Sequence, residues 1–140
     1  MKLQKEIKWI TVHTTATLPN QDVHVEDVIK WHKKQGWETI GYHWLVCLDG
    51  TIEKGRDEKF VGAGVRNYNT GNIHVCYVGG LDEERKPKDT RTDEQKKSLE
   101  LLLMNLRTRY PDAIIQGHRD FPGVNKACPC FDAKEEYKWI

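Results

Sequence analysis

Three residues of this 140-residue chain are of the types that hold a catalytic metal. His13 closes the run Trp9-Ile10-Thr11-Val12-His13, and His118 and Cys128 lie in Gly117-His118-Arg119-Asp120 and Lys126-Ala127-Cys128-Pro129. Two imidazoles and one thiolate are borderline-to-soft donors that suit tetrahedral zinc. Three protein ligands leave the fourth position to water, which is the arrangement of a hydrolytic site rather than a structural one. Taken singly, each residue has a plainer reading: a histidine at the end of an apolar strand is commonly a hydrogen-bonded core residue, and a small thiol is a common core filler. His13 is also remote in sequence from the other two, so spacing alone does not bring them together.

The elements that must position these residues can be read from periodicity. Lys8 to Val12 reads as a strand ending at His13, and Ala113-Ile114-Ile115 reads as a buried strand leading through Gly117 to His118. Both imidazoles are therefore expected at one sheet edge. Val25 to Lys34 carries Val25, Val28, Ile29 and His32 at the spacing of one helix face, stopped by Gly36. Tyr42 to Cys47 and Thr51 to Lys54 flank Asp49-Gly50, a hairpin signal, and Ile73 to Val78 gives a further strand. A second helix starts at Thr92, with Gln95 completing a capping box. It runs along the stripe Leu99, Leu102, Leu103, Leu106 and Tyr110 to Pro111. The charged run Leu81 to Thr90 reads as an exposed loop. Strands alternating with helices predict an α/β fold, a mixed β-sheet packed by helices.

Several motifs together carry a resemblance. Val12-His13-Thr14-Thr15-Ala16-Thr17, Trp31-His32-Lys33-Lys34-Gln35-Gly36-Trp37, Gly41-Tyr42-His43-Trp44, Gly117-His118-Arg119-Asp120 and Lys126-Ala127-Cys128-Pro129 follow one another in the order and spacing of a known family. Over about Ile7 to Trp139 the chain resembles the zinc-dependent N-acetylmuramoyl-L-alanine amidases. Within them it is most similar to the short phage amidases called lysozymes, relatives of the peptidoglycan recognition proteins. The resemblance implies a central mixed sheet flanked by helices with a zinc-bearing groove on one face, and a zinc ion held by His13, His118 and Cys128. It implies Tyr42 and Lys126 as catalytic residues beside the metal, and cleavage of the amide between N-acetylmuramic acid and L-alanine in bacterial peptidoglycan. In that setting Lys126 brings a cation towards the developing oxyanion, and Tyr42 offers a phenol to the water or to proton transfer. Trp37, His43, Asn67, Tyr68 and Asn72 are candidate groove residues, because glycans and peptides bind through flat aromatics and amide hydrogen bonds. The chain departs from the family pattern at Val61-Gly62-Ala63-Gly64, where many relatives carry a histidine, and at His74, where they carry a small residue. His43 and His74 are further metal-capable residues that could compete for the ion.

Composition bounds the remaining expectations. The length fits one catalytic domain over residues 1–140, and Lys and Arg (22) nearly balance Asp and Glu (21), a net charge of +1 that argues against nucleic acid or a membrane as partner. The charged start Met1 to Lys8 lacks the apolar core of a secretory signal, so a cytoplasmic product is expected. It would reach the wall after lysis or through a separate pore, as a phage or prophage endolysin does. Of four cysteines, Cys47 and Cys76 read as buried thiols, and Cys130 as an alternate ligand, a redox-sensitive neighbour or a small filler. Other readings are a wall-recognition module without catalysis and a cysteine–histidine hydrolase, which would survive chelation. Some short phage lysozymes also restrain the phage RNA polymerase, for which Lys2 to Lys8 would be the contact surface. No heptad seam calls for a second copy, so a monomer is expected.

Overall fold

Five short strands form one sheet: β1 (Trp9–Thr14), β2 (Trp44–Val46), β3 (Ile52–Lys54), β4 (Asn72–Tyr77) and β5 (Ile114–Gly117), in the order β3-β2-β4-β1-β5. The computed structural model describes residues 1–140. β1 lies between β4 and β5, parallel to both, β2 is parallel to β4, and only β3 is antiparallel. Three helices complete the fold: α1 (Val25–Lys34), α2 (Asp93–Arg109) and the short α3 (Ala133–Glu136). This is the mixed sheet flanked by helices that the sequence predicts.

Alternation along the two central strands divides the chemistry between the faces. Ile10 and Val12 of β1 and Ile73, Val75 and Tyr77 of β4 join Leu99, Leu102, Leu103 and Leu106 of α2 in the larger core. The intervening residues, Thr11 and His13 on β1 and His74 and Cys76 on β4, face the other way. There a smaller core of Val23, Val28, Ile40, Leu45, Cys47, Cys76 and Val78 seats α1. The polar residues of the inner strands thus converge on one side of the sheet while the leucine stripe seals the opposite side.

The helix ends are fixed by side chains placed for the purpose. Thr92 accepts from the Gln95 amide at 3.1 Å, and Gln95 Oε1 accepts from the Thr92 amide at 2.9 Å. Gln95 is fully buried, and its Nε2 donates to the carbonyls of Val78 (2.8 Å) and Val46 (3.3 Å). One residue therefore caps α2 and ties it to the ends of β2 and β4. On α1, His32 Nδ1 accepts from the Gly41 amide at 2.8 Å, fixing the approach to Tyr42.

Two expectations are corrected by topology. Ile114 is 49% exposed, because side chains alternate along β5 and it faces away from the larger core that Ala113 and Ile115 join. Tyr42 and His43 precede β2 rather than belonging to it. The 81–90 segment is an exposed loop, as expected, and no helix is long and apolar enough to cross a membrane.

Candidate metal centre and groove

His13 and His118 meet because their strands are neighbours. Val12 pairs with Gly117 in the parallel β1/β5 ladder, so the residue that follows each emerges at the same end of the sheet, and their rings lie 5.0 Å apart, centroid to centroid. Cys128 arrives from the C-terminal segment. Tyr77 Oη donates to the Pro129 carbonyl at 2.6 Å, and Arg119 N donates to the Cys128 carbonyl at 2.9 Å. A Cβ on Gly117 would stand 2.6 Å from Pro129 Cδ, so glycine is what lets the segment close over β5. Further along, the buried Arg91 guanidinium bonds to Asp89 and Glu136 and lies over the Phe131 ring, clasping the terminal segment to the body.

The result is a group of three donor atoms from His13, His118 and Cys128, all within 4.8 Å of one another. His13 Nδ1 faces Cys128 Sγ at 4.0 Å, while its other nitrogen, Nε2, is 2.8 Å from His74 Nδ1. Burial, then the nearby His118, His43 and Lys126, hold the His13 imidazolium well below its ordinary pKa. Burial and Lys126 act on His118 in the same direction. Both rings are thus neutral with a lone pair to give, the state a metal requires. Burial pushes the Cys128 thiol up to about 11. The Thr14 amide donates to its sulfur at 3.3 Å and would support the thiolate once a cation displaces the proton. Donor chemistry, proximity and protonation all fit zinc, and Cys128 is the reverse of a free catalytic thiolate, which needs a lowered pKa.

The residues beside the centre divide into two groups. Tyr42 packs its ring 5.0 Å from that of His13, and its phenol is held protonated by burial, then by the thiols of Cys76 and Cys128. His118 and the exposed Lys126 line an open groove of about 790 Å³ whose walls are the 63–69 and 122–126 segments. Trp37, Asn67 and Tyr68 line the same groove, and Arg66 adds a second cation that sequence reading passed over. Trp37 is held edge-on against His32, with ring centroids 4.4 Å apart.

His43 and Asn72 do not belong to the groove. Both are fully buried. The His43 nitrogens are taken by the His74 amide (2.9 Å) and the Phe60 carbonyl (2.9 Å). Asn72 bonds to the Thr11 hydroxyl (2.7 Å) and the Tyr68 carbonyl (2.8 Å). Their polar side chains are spent on the backbone and strands, leaving nothing for a ligand. His74 stands outside the ligand group as a partner of His13, and the Cys130 thiol donates to the Gly80 carbonyl at 3.4 Å, away from it. All four cysteines are free thiols.

A second group with metal-ligating side chains lies at the start of α1: His24, Cys47 and Glu53. Its atoms are already matched. His24 Nδ1 bonds to Glu53 Oε2 (2.8 Å) and Nε2 to Asp22 Oδ2 (3.1 Å), and Glu53 Oε1 accepts from the Val25 amide (2.8 Å).

The chain also has clear relatives among known proteins. The family model for N-acetylmuramoyl-L-alanine amidase matches residues 3–131. The chain is 41% identical to an endolysin of Enterobacteria phage K11 over 98% of its own length and 87% of that protein. It is 44% identical to an endolysin of Escherichia phage T7 over 89% of its length and 82% of that protein. Among solved structures, the N-acetylmuramoyl-L-alanine amidase LysC from Clostridium intestinale superposes with a TM-score of 0.80 at 26% identity, covering 97% of this chain and 86% of that one.

Proposed function

The chain belongs to the N-acetylmuramoyl-L-alanine amidase family, and on that premise we propose that it is a zinc-dependent endolysin. It cuts the amide between the lactyl group of N-acetylmuramic acid and the L-alanine of the stem peptide. The observation that carries the zinc assignment is the convergence of His13, His118 and Cys128 donor atoms within 4.8 Å, with His118 also lining an open groove. Bound by these three, zinc supplies Lewis acidity that activates water and polarises the amide carbonyl.

The chain's own residues supply the rest. Lys126, on the groove wall beside His118, presents its ammonium group to the carbonyl oxygen as it gains negative charge, an interaction stronger in the transition state than in the ground state. Tyr42 stays a phenol throughout the physiological range, so it serves as a hydrogen-bond donor beside His13 and not as a phenolate base. Trp37, Asn67 and Tyr68 offer flat and amide surfaces to glycan and peptide, and Arg66 offers a cation to a stem-peptide carboxylate. The Asn69 side chain fixes that wall by accepting from the amides of Gly64 and Val65, both at 2.9 Å.

Mass spectrometry of the soluble products from purified peptidoglycan tests the reading. Peptides beginning with L-alanine over intact glycan, lost on chelation and restored by zinc, are the expected outcome. Glycan fragments, or cleavage that resists chelation, would overturn it.

A further inference from the structure

His74 sits on β4, on the same face as His13 of β1, one pair of residues away in register: Thr11 is opposite His74 and His13 opposite Cys76. Its ring is fully buried. Of its two nitrogens, Nδ1 is 2.8 Å from His13 Nε2, and Nε2 has no hydrogen-bond partner, the one such buried side-chain atom in the structure. Whether it carries a proton or a lone pair, that orphaned nitrogen makes the ring a poorer core residue than leucine or phenylalanine. The only polar contact the imidazole makes is to His13.

The surroundings are cut to fit this ring. His43 stacks on it, with centroids 5.7 Å apart and planes 4° from parallel. The stacked ring is itself locked, because His43 Nδ1 accepts from the His74 amide and Nε2 donates to the Phe60 carbonyl. The 62–64 segment closes on the imidazole edge. A Cβ at Gly62 would stand 2.7 Å from His74 Cδ2, and one at Gly64 2.5 Å from His74 Nδ1 and 3.0 Å from His13 Cε1. Two residues without side chains therefore make the slot in which His74 meets His13.

One proton is shared between His13 Nε2 and His74 Nδ1, and its position decides what His13 can do. If His74 donated, His13 would carry its proton on Nδ1, aimed at Cys128, with no lone pair there. If His74 accepts, the His13 proton stays on Nε2 and the Nδ1 lone pair points at Cys128 and His118. We propose that His74 is a positioning residue that accepts from His13 Nε2–H and so fixes both the tautomer and the ring orientation in which His13 Nδ1 binds the metal. This rests on the reading of His13 as a zinc ligand. Outer partners of ligating histidines that do this work elsewhere raise metal affinity about 10–100-fold.

The test uses the full chain and reads zinc affinity by competition with a chromophoric chelator, alongside the melting temperature of the metal-free protein. His74→Asn keeps an acceptor, since its Oδ1 occupies the place of histidine Nδ1, and should bind zinc within a few fold of wild type. His74→Leu has no acceptor and should bind about 10–100-fold more weakly. Its metal-free melting temperature should be at or above wild type, because the orphaned nitrogen is gone. A purely structural His74 would show the opposite split, with stability falling and affinity kept. Equal zinc affinity in the leucine variant and wild type overturns the proposal, as does an asparagine variant as weak as leucine. Should His74→Leu not fold, nitrogen-15 spectra of metal-free wild type decide: a His13 proton on Nε2 supports the assignment and one on Nδ1 overturns it. A wild-type protein that takes no zinc would instead defeat the metal-site reading itself.

Discussion

Two clusters in this molecule hold nearly the same side chains and are in opposite chemical states. His13, His118 and Cys128 gather two imidazoles and a thiol, and His24, Cys47 and Glu53 gather an imidazole, a thiol and a carboxylate, each set within 4.8 Å. In the first, burial and the Lys126 charge keep the imidazoles neutral, and the nitrogen of His13 that faces the thiol is left without a carboxylate or carbonyl. In the second, hydrogen bonds donated to Glu53 and then to Asp22 raise the pKa of His24 to about 9, and both of its nitrogens are engaged. Residue type does not make a metal site. Readiness is set by what surrounds the donors, and carboxylates that grip an imidazole from both sides turn it into a cation.

The sharpest way to break that contrast is to delete one histidine from each cluster and count metal. His118→Ala should fall from one bound zinc to almost none and lose activity with it, whereas His24→Ala should keep both zinc and turnover near wild type. Elemental analysis of the purified proteins, read beside peptidoglycan cleavage, makes the measurement. Retention of zinc by the His118 variant, or its loss from the His24 variant, would mean that the clusters have been assigned the wrong way round.

Much of this was legible in the sequence because the signals were local. The α1 bounds, the Thr92–Gln95 box and the leucine stripe of α2 follow from helical spacing and capping, and those elements stand where they were expected. The His13, His118 and Cys128 set was legible through motif resemblance, and its convergence required the β1/β5 pairing. What was not legible depended on which way a side chain turns at an element's end. His43 lies just before β2 and turns inward to serve the backbone of β4, so a residue that read as a groove contact is buried behind the His13–His74 pair. Asn72, at the first position of β4, spends its amide on Thr11 and Tyr68 for the same reason. The His24 cluster escaped notice because its members come from three separate segments, joined only when α1 settles on the sheet. His74 stood out in the sequence as a departure from the family pattern, but its pairing with His13 needed the β1/β4 register to become a contact.

A smaller effect separates holding the metal from using it. Lys126 lines the groove next to His118 and shifts the histidines only through its field, so Lys126→Ala should retain zinc and lower kcat by about 10²–10³-fold, the cost typical of removing one oxyanion donor. Lys126→Arg keeps the charge with a different reach and should recover part of the rate. Single-turnover rates beside metal content resolve the two contributions, and a Lys126→Ala enzyme with wild-type turnover would remove the residue from the mechanism.

The smallest effect belongs to the His24 cluster and is read as pH dependence. His24 has a folded pKa of about 9, above its ordinary 6.5, so its ion pairs contribute fully below about pH 6.5 and are lost as pH rises through about 9. The groups facing it are the Asp22 and Glu53 carboxylates and the Cys47 thiol. Against the effect of burial, the Val25 amide and His24 hold the Glu53 carboxyl below its ordinary value, and burial, then Glu53 and Asp49, push Cys47 up to about 12, so neither changes charge in that window. His24→Gln should therefore melt below wild type near neutral pH, with a gap that narrows and closes as both proteins are titrated past about pH 9. The pairs are partly exposed, so the gap should be small and should shrink further in salt. Thermal melts across that range check this, and a gap independent of pH would mean that His24 acts by packing at the start of α1. The contrast between the clusters would then rest on the neutral histidines of the metal centre alone.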